Sequence, residues 1–348
     1  MSDIDIDMRP NEAVSAATIV ALWERLLRLS PIHPDDDFFD LGGDSLLALT
    51  LFHEIEQATG RTLPITAIYD ASTPARLADC LARSGPARFS PLVLLKPGDG
   101  QAPLFIVHGI GGNVMELRQL GQRLDTARPV YAIQAKGLDG AAAPLDRIDD
   151  MADYDLAPVR ALQPHGPYFL AGHSLGGLIA MEMARRLQTE GEAVALVAFF
   201  DSYAHPRTFP TTARWLIRFH IARDAFRTMK TRDAIALIAH RIKGRGGDAA
   251  LAPANFRAAA TTPALRRVYD ATFAALLRYR PRFYPGKIVF FKPATSLFPI
   301  DPRRVWRRLA GEFELHTLPG DHDSIVRDDV GALAAALSRS LREAAQEP

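Results

Sequence analysis

The sequence is poor in cysteine, since Cys80 is the only one among its 348 residues. One thiol cannot form a disulfide within the chain, nor can it supply a cysteine cluster for a metal ion. Long apolar runs are also missing, because no stretch reaches the ~18 residues of a membrane span. The acidic start MSDIDID lacks the basic segment that opens a signal peptide. These absences predict a cytoplasmic chain without disulfide, metal or membrane span.

Charge is balanced over the whole chain but not along it. Residues 1–85 hold 6 basic and 14 acidic side chains, a net charge of −8, whereas residues 86–348 hold 35 and 26, a net charge of +9. The positive part has no dense basic stripe beside aromatic residues, which argues against nucleic acid as a partner. Opposite charges on the two parts serve either solubility alone or a transient contact between them.

Apolar periodicity predicts an all-α domain over residues 12–85. One helix is expected over Ala13–Leu29, a second from Ser45, a short third within LPITAIYDAST, and a fourth from Pro74 with Thr73 as its cap. Residues 86–102, rich in glycine and proline, are predicted to be a linker.

Residues 103–341 have a different pattern. Short β-branched or aromatic runs alternate with helical segments, which predicts an α/β domain whose mostly parallel sheet has helices on both faces. The strand-like runs are LFIVHG, PVYAIQ, YFLAGH, ALVAFFD, KIVFFK and FELHTL. Residues 203–282 interrupt this alternation, and amphipathic patterns at 213–229 and 233–242 predict a helical lid there.

The run PYFLAGHSLGGLIAMEMARRL predicts a strand, a sharp turn and a helix, with Ser174 at the turn in a G-x-S-x-G motif. Small flanking residues allow the strand and helix to approach closely and expose a nucleophilic serine, and the helix N-terminus adds backbone N–H donors. Such a serine needs a base and an acid that orients the base. His322 follows the last predicted strand, and Asp201 ends an earlier one. The chain order Ser174, Asp201, His322 is that of α/β-hydrolases.

The acid has an alternative, because Asp301 follows the next strand and could orient His322 from there. For the oxyanion hole we predict the backbone N–H groups of Ile110, in the loop HGIGGN, and Leu175, directly after the nucleophile. His108 and His173 adjoin these motifs and are interpreted as supports of loop geometry.

Ser45, in the stretch DDDFFDLGGDSLLAL, also permits two interpretations. Together with Asp44 it could simply cap the second helix. Alternatively, an anion attached to its hydroxyl would lie against the free N–H groups of that helix, which suits a phosphodiester.

The motifs carry a resemblance to two families. Residues 13–83, with DDDFFDLGGDSLLAL, resemble a peptidyl or acyl carrier protein, and residues 103–341, with HGIGGN, GHSLGG, FFDSYAHP and GDHDSI, resemble the type I thioesterase domains that end nonribosomal peptide and polyketide synthetases. The resemblance implies that Ser45 receives 4′-phosphopantetheine from coenzyme A through a phosphopantetheinyl transferase. It also implies the triad Ser174, Asp201 and His322, and it favours Asp201 over Asp301.

The function implied is that of a terminal carrier–thioesterase didomain. It would accept an acyl or peptidyl thioester at Ser45, transfer the acyl group to Ser174, and release it by hydrolysis or macrocyclisation. An upstream condensation, adenylation or ketosynthase module would supply the chain, in cis or in trans. Either a free-standing didomain or a fragment of a larger synthetase fits the sequence. The rival interpretations are an editing hydrolase, an acyl-transfer shuttle and a non-catalytic partner-binding module.

Overall fold

The computed structural model describes residues 15–43, 45–59, 67–82, 89–204, 209, 211, 262–296, 298 and 300–346. The contacts within the chain separate two units, residues 1–90 with 139–141, and residues 91–138 with 142–348. In the described ranges, no helix combines the length and the apolar character that a membrane crossing requires.

Short amphipathic helices make up the first unit. They are α1 (Ala16–Leu27), α2 (Ser45–Thr59), α3 (Ala67–Asp70) and α4 (Pro74–Ala82). The side chains of Ser15 and Thr73 accept hydrogen bonds from backbone N–H groups in the first turns of α1 and α4, which compensates for bonds that a helix N-terminus lacks. The second helix begins at Ser45 and the fourth at Pro74, as the periodicity predicted. The unit buries an apolar core that includes Ile19, Trp23, Phe38, Leu51, Ile55 and Leu77.

The described part of the second unit contains a seven-stranded sheet. Its strands are β1 (Leu92–Lys96), β2 (Leu104–Val107), β3 (Val130–Ile133), β4 (Tyr168–His173), β5 (Val194–Phe200), β6 (Tyr284–Thr295) and β7 (Ala310–Asp321). Their order is β1-β3-β2-β4-β5-β6-β7, with β1 antiparallel to β3 and the other neighbours parallel. The mostly parallel sheet predicted from the alternating pattern is confirmed, and each of the six apolar runs overlaps one of its strands.

Strand β1 lies inside the range 86–102 that was predicted to be a linker, and this part of the prediction is wrong. Val93 and Leu95 are buried on one side of the strand while Leu94 is exposed. Leu92 is opposite Ile133 in the antiparallel register with β3. Five residues among prolines and glycines show too little alternation to predict a strand, and it is the pairing with β3 that stabilises the extended conformation.

The helices of the second unit are α5 (Arg118–Arg123), α6 (Ile148–Leu162), α7 (Leu175–Thr189), α8 (Pro263–Arg278), α9 (Arg303–Trp306) and α10 (Val330–Ala344). A continuous apolar core contains Phe105 of β2, Phe199 of β5 and Trp306 of α9. The rings of Phe199 and Trp306 meet edge to face, with centroids 5.0 Å apart. Burying aromatic side chains of this size stabilises the unit by about 1.5–3 kcal/mol each.

Only part of the predicted lid, residues 203–282, belongs to the described residues. Helix α8 is within that range, and the hydroxyl of Thr272 in α8 donates a hydrogen bond to the carbonyl of Ile110. The amphipathic patterns at 213–229 and 233–242 lie outside the described residues.

Candidate active site

Ser174 lies at a sharp turn between β4 and α7. Its φ is 55° and its ψ is −113°, an unfavourable backbone conformation for a residue with a Cβ atom. The preceding strand is completely buried, and the backbone N–H of Ser174 donates to the carbonyl of Phe200 at 2.9 Å. A Cβ on Gly172 would lie 2.1 Å from the backbone carbon of Gly176. Glycine at 172 is therefore required for the strand and helix to approach this closely, as the G-x-S-x-G motif predicted.

Asp201 and His322 form a hydrogen-bonded pair. Asp201 follows β5 and is 1% exposed, and His322 lies in the turn after β7. Nδ1 of His322 is 2.8 Å from Oδ2 of Asp201. The other carboxylate oxygen accepts a hydrogen bond from the hydroxyl of Ser296 at 2.5 Å. The aspartate therefore orients the imidazole, and Ser296, which the sequence analysis did not single out, orients the aspartate.

The alternative acid, Asp301, is placed elsewhere. Its side chain is exposed, and Oδ1 accepts a hydrogen bond from the backbone N–H of Arg303 at 2.9 Å. Its other oxygen lies 3.8 Å from the Arg303 guanidinium. The structure thus brings Asp201, and not Asp301, to the imidazole of His322.

Ser174, Asp201 and His322 follow the carboxyl ends of β4, β5 and β7, which lie at one edge of the sheet because these strands run parallel. The ring of His173, the residue before Ser174, lies 4.8 Å from the ring of His322, centroid to centroid. Within the described part of the chain, no hydrogen bond joins the Ser174 hydroxyl to His322. Such contacts often tighten only when substrate binds.

The start of α7 lies against the loop that follows β2. A Cβ on Gly176 would be 2.4 Å from the carbonyl oxygen of Val107 and 2.5 Å from that of His108. Ile110 lies in this loop, and Leu175 is the first residue of α7. The first N–H groups of a helix have no partner within it and carry its positive dipole end. The two predicted oxyanion donors therefore belong to adjacent segments beside Ser174.

Two buried histidines next to these segments have pKa values that are shifted in opposite directions. Burial lowers the pKa of His108 to about 4, although its hydrogen bond to the Gly109 carbonyl acts in the opposite direction. Burial also acts to lower the pKa of His173, but the hydrogen bond to Glu116 and its charge outweigh burial, so that the pKa of His173 is raised. His108 is consequently neutral near pH 7. Glu116 was not a sequence candidate, because nothing in its local pattern indicates a distant histidine partner.

Ser45 is the first residue of α2, a helix with no acidic side chain in its first turn. The preceding turn is tight: Gly42 has a φ of 88°, and a Cβ on Gly43 would lie 2.4 Å from the carbonyl oxygen of Phe38. A hydroxyl residue at the positive end of a 15-residue helix suits a covalently attached phosphodiester. The residues present therefore fit the predicted phosphopantetheine site.

Two family models match the chain. The model of the thioesterase domain matches residues 102–341, and the model of the phosphopantetheine attachment site matches residues 17–81. The two matches follow one another in the order in which the sequence motifs occur.

Relatives and a solved structure were also found. The chain is 35% identical to indigoidine synthase of Dickeya dadantii over 199 residues, which are 56% of this chain and 13% of that protein. It is 30% identical to malpibaldin synthetase of Mortierella alpina over 311 residues, 87% of this chain and 5% of that protein. The crystal structure of holo-AB3403, a four-domain nonribosomal peptide synthetase bound to AMP and glycine, matches 99% of this chain and 27% of its own, with a TM-score of 0.58 and 26% identity. The chain therefore spans a small part of each of these proteins.

Proposed function

This chain belongs to the thioesterase family and carries a phosphopantetheine attachment domain ahead of its thioesterase domain, and we propose that it releases an acyl or peptidyl chain, delivered as a thioester at Ser45, by way of an ester on Ser174. The observation that carries the proposal is the 2.8 Å hydrogen bond between Asp201 and His322 beside a serine in a strained turn. This is the arrangement that activates a serine hydroxyl for acyl transfer.

We assign the domains accordingly. Residues 12–85 form a four-helix carrier domain, residues 103–341 form an α/β-hydrolase domain, and residues 203–282 include a lid over its substrate. The hydrogen-bonded contact of α8 with the loop after β2 supports the lid assignment, since it ties this segment to a predicted oxyanion donor. Strand β1, within residues 86–102, belongs to the sheet of the second domain, so the connection between the domains ends before Leu92.

The prosthetic group, when bound, supplies a terminal thiol that holds the acyl chain as a thioester. Ser45 provides the hydroxyl for its phosphodiester, and the backbone N–H groups of the first turn of α2 stabilise the charge. A phosphopantetheinyl transferase and an upstream synthetase module are therefore the partners of this chain. One relative is a synthetase by name and the other a synthase, and the solved structure is of a nonribosomal peptide synthetase, which favours a peptidyl substrate.

Acylation begins at Ser174. Its hydroxyl attacks the thioester carbonyl while Nε2 of His322 accepts the proton, and Asp201 keeps the other ring nitrogen protonated and stabilises the imidazolium. The backbone N–H groups of Ile110 and Leu175 donate to the oxyanion, a contribution of about 10²–10³-fold in rate per donor. Collapse of the tetrahedral intermediate breaks the carbon–sulfur bond, and His322 returns the proton to the leaving thiolate.

Deacylation repeats these steps with a new nucleophile. Water, or an amine or hydroxyl group of the bound chain, attacks the Ser174 ester while His322 accepts its proton. The Ser174 oxygen then leaves and takes that proton back. Water gives a free acid, an internal hydroxyl a lactone, and an internal amine a lactam.

The test follows the acyl group through the full chain by intact-mass measurement. Incubation with coenzyme A and a phosphopantetheinyl transferase should add one phosphopantetheinyl group to wild type and none to Ser45→Ala. When the transferase uses acyl-coenzyme A instead, wild type should lose the acyl group with time, whereas Ser174→Ala should retain it.

Two results would contradict the proposal. One is modification of Ser45→Ala, which would place the attachment elsewhere. The other is release of the acyl group from Ser174→Ala at the wild-type rate. The control for folding is hydrolysis of a small soluble thioester, which Ser45→Ala should perform as wild type does because its triad is intact.

A further inference from the structure

A buried histidine and a partly buried glutamate lie next to the turn that carries His322. Nδ1 of His173 is 3.3 Å from Oε1 of Glu116, and Nε2 of His173 is 2.8 Å from the backbone carbonyl oxygen of His322. The His173 side chain is 4% exposed. Both nitrogens of this buried ring therefore have a polar partner, and the Glu116 side chain is 25% exposed.

The partners determine the protonation state of the ring. A carboxylate and a backbone carbonyl are both acceptors, so each nitrogen of His173 has to donate a proton. A neutral imidazole carries one N–H and an imidazolium carries two. These two acceptors favour the imidazolium form of His173 beside the Glu116 carboxylate, in agreement with the raised pKa of His173 and the lowered pKa of Glu116. For Glu116, burial alone would raise the pKa, and the interactions with His173 reverse this.

The pair contacts each of the three segments of the active site. His173 immediately precedes Ser174, and its Nε2 is hydrogen-bonded to the backbone carbonyl of His322, the proposed base. The third segment is the loop after β2, where a Cβ on Gly109 would lie 3.2 Å from Oε1 of Glu116 and 3.3 Å from Nδ1 of His173. Gly109 comes directly before Ile110, a predicted oxyanion donor. The pair is therefore hydrogen-bonded to the turn of the base, adjoins the nucleophile in the sequence and lies next to Gly109 of the oxyanion loop.

We propose that His173 is a positioning residue for the reaction: the N–H that it donates to the His322 carbonyl holds the turn of His322 at a fixed distance from Ser174, and Glu116 keeps the other nitrogen of the ring protonated. This inference rests on the proposed function, because it assigns His322 as the base. Neither residue touches the reacting atoms. A displacement of about 1 Å in a catalytic group can cost about 10²-fold in rate, which is the scale on which such a link acts.

Two variants of His173 distinguish its contact with Glu116 from its contact with the His322 carbonyl. In His173→Gln the side-chain amide nitrogen reaches the place of Nε2 and can still donate to the His322 carbonyl. In His173→Asn the amide nitrogen takes the place of Nδ1, which preserves the contact with Glu116 but removes the donor to His322. We expect His173→Asn to lower kcat for a soluble thioester about 10–100-fold with little change in KM, and His173→Gln to remain within about fivefold of wild type.

The matched control is His165→Asn. His165 is an exposed histidine that also contacts a glutamate through Nδ1, at 3.0 Å from Glu192. This substitution makes the same chemical change away from the site and should leave kcat unaltered. Equal activities of His173→Asn and His173→Gln would overturn the proposal, since a residue that only fills space does not distinguish the two nitrogens.

A spectroscopic measurement on wild type tests the inference without turnover. In ¹⁵N-labelled full-length protein near neutral pH, both ring nitrogens of His173 should show the shifts of protonated imidazolium, with the signals assigned by their loss in His173→Gln. One unprotonated ring nitrogen would refute the ion pair. If the spectra show the imidazolium but wild type hydrolyses no thioester, the proposed function fails. The rate at which a fluorophosphonate labels Ser174 then replaces kcat in comparing His173→Asn with His173→Gln.

Discussion

Replacing Asp201 by asparagine tests which acid serves His322. Asparagine has nearly the same shape as aspartate, and its carbonyl oxygen can keep the hydrogen bond from Ser296, which is 2.5 Å long in the structure. Its amide N–H₂ group then faces Nδ1 of His322, where the carboxylate accepted at 2.8 Å. Because an amide nitrogen only donates, the ring proton has to move to Nε2. Nε2 can then no longer accept the proton of Ser174.

The expected size of the effect follows from these two losses. The charge-assisted hydrogen bond alone contributes about 1.5–3 kcal/mol, or about 10–150-fold in rate if it acts fully in the transition state. The wrong tautomer adds to this, and the corresponding change in a serine-protease triad lowers kcat about 10⁴-fold. We therefore expect Asp201→Asn to lower the rate of Ser174 acylation about 10³–10⁴-fold.

The assay is single-turnover acylation of the full chain by a soluble thioester, followed by intact mass, with thermal unfolding as the check on folding. Asp301→Asn is the matched control, because Asp301 is exposed and contacts Arg303 instead of the imidazole. It should change the rate by no more than about twofold. An Asp201→Asn rate within about tenfold of wild type would refute the reasoning, since the tautomer argument requires more than a lost hydrogen bond.

Three further predictions concern the surroundings of the site. Gly172→Ala should lower the unfolding temperature strongly, because the new Cβ would lie 2.1 Å from the backbone carbon of Gly176. The control is Gly331→Ala in α10, where a Cβ would have its nearest atom 3.7 Å away, and this change should maintain or raise the unfolding temperature. Equal shifts of the two variants would contradict the packing argument. Burial lowers the pKa of His108 to about 4 in the folded state, against ~6.5 in the unfolded state. Between these pH values the unfolded state binds more protons, so the free energy of unfolding decreases as the pH drops through this range, by about 3 kcal/mol in total. His108→Asn, which can still donate to Gly109, should flatten the pH dependence of chemical denaturation over this range, and an unchanged slope would exclude the buried neutral histidine. Ser296→Ala should lower kcat about 3–10-fold by loosening Asp201, as measured with a soluble thioester, and an unchanged kcat would leave the serine without an orienting role.

Local signals were sufficient for much of the fold. The start of α2 at Ser45, the cap at Thr73 and the strand–turn–helix around Ser174 depend on residues close together in the sequence, whose backbone preferences act over one or two turns. The six short β-branched or aromatic runs likewise indicated strands whatever their partners. Strand β1 was missed because five residues have too little pattern of their own, and its extended conformation depends on pairing with β3, almost 40 residues away in the chain.

The sequence by itself therefore predicted Ser45 and Ser174 as the two reactive hydroxyl positions and the chain order of acid and base, since each belongs to a motif of neighbouring residues. The residues alone left Asp201 and Asp301 open, because both follow strands, and the family resemblance favoured Asp201; the tertiary structure shows that it is Asp201 that reaches the imidazole. It also revealed Ser296, which lies 95 residues from its partner Asp201 in the sequence. The Glu116–His173 pair, whose members are 57 residues apart, was likewise visible only in the structure. Hydrogen bonds across such separations arise when parallel strands bring their carboxyl ends to one edge of the sheet, and the local sequence pattern therefore does not predict them.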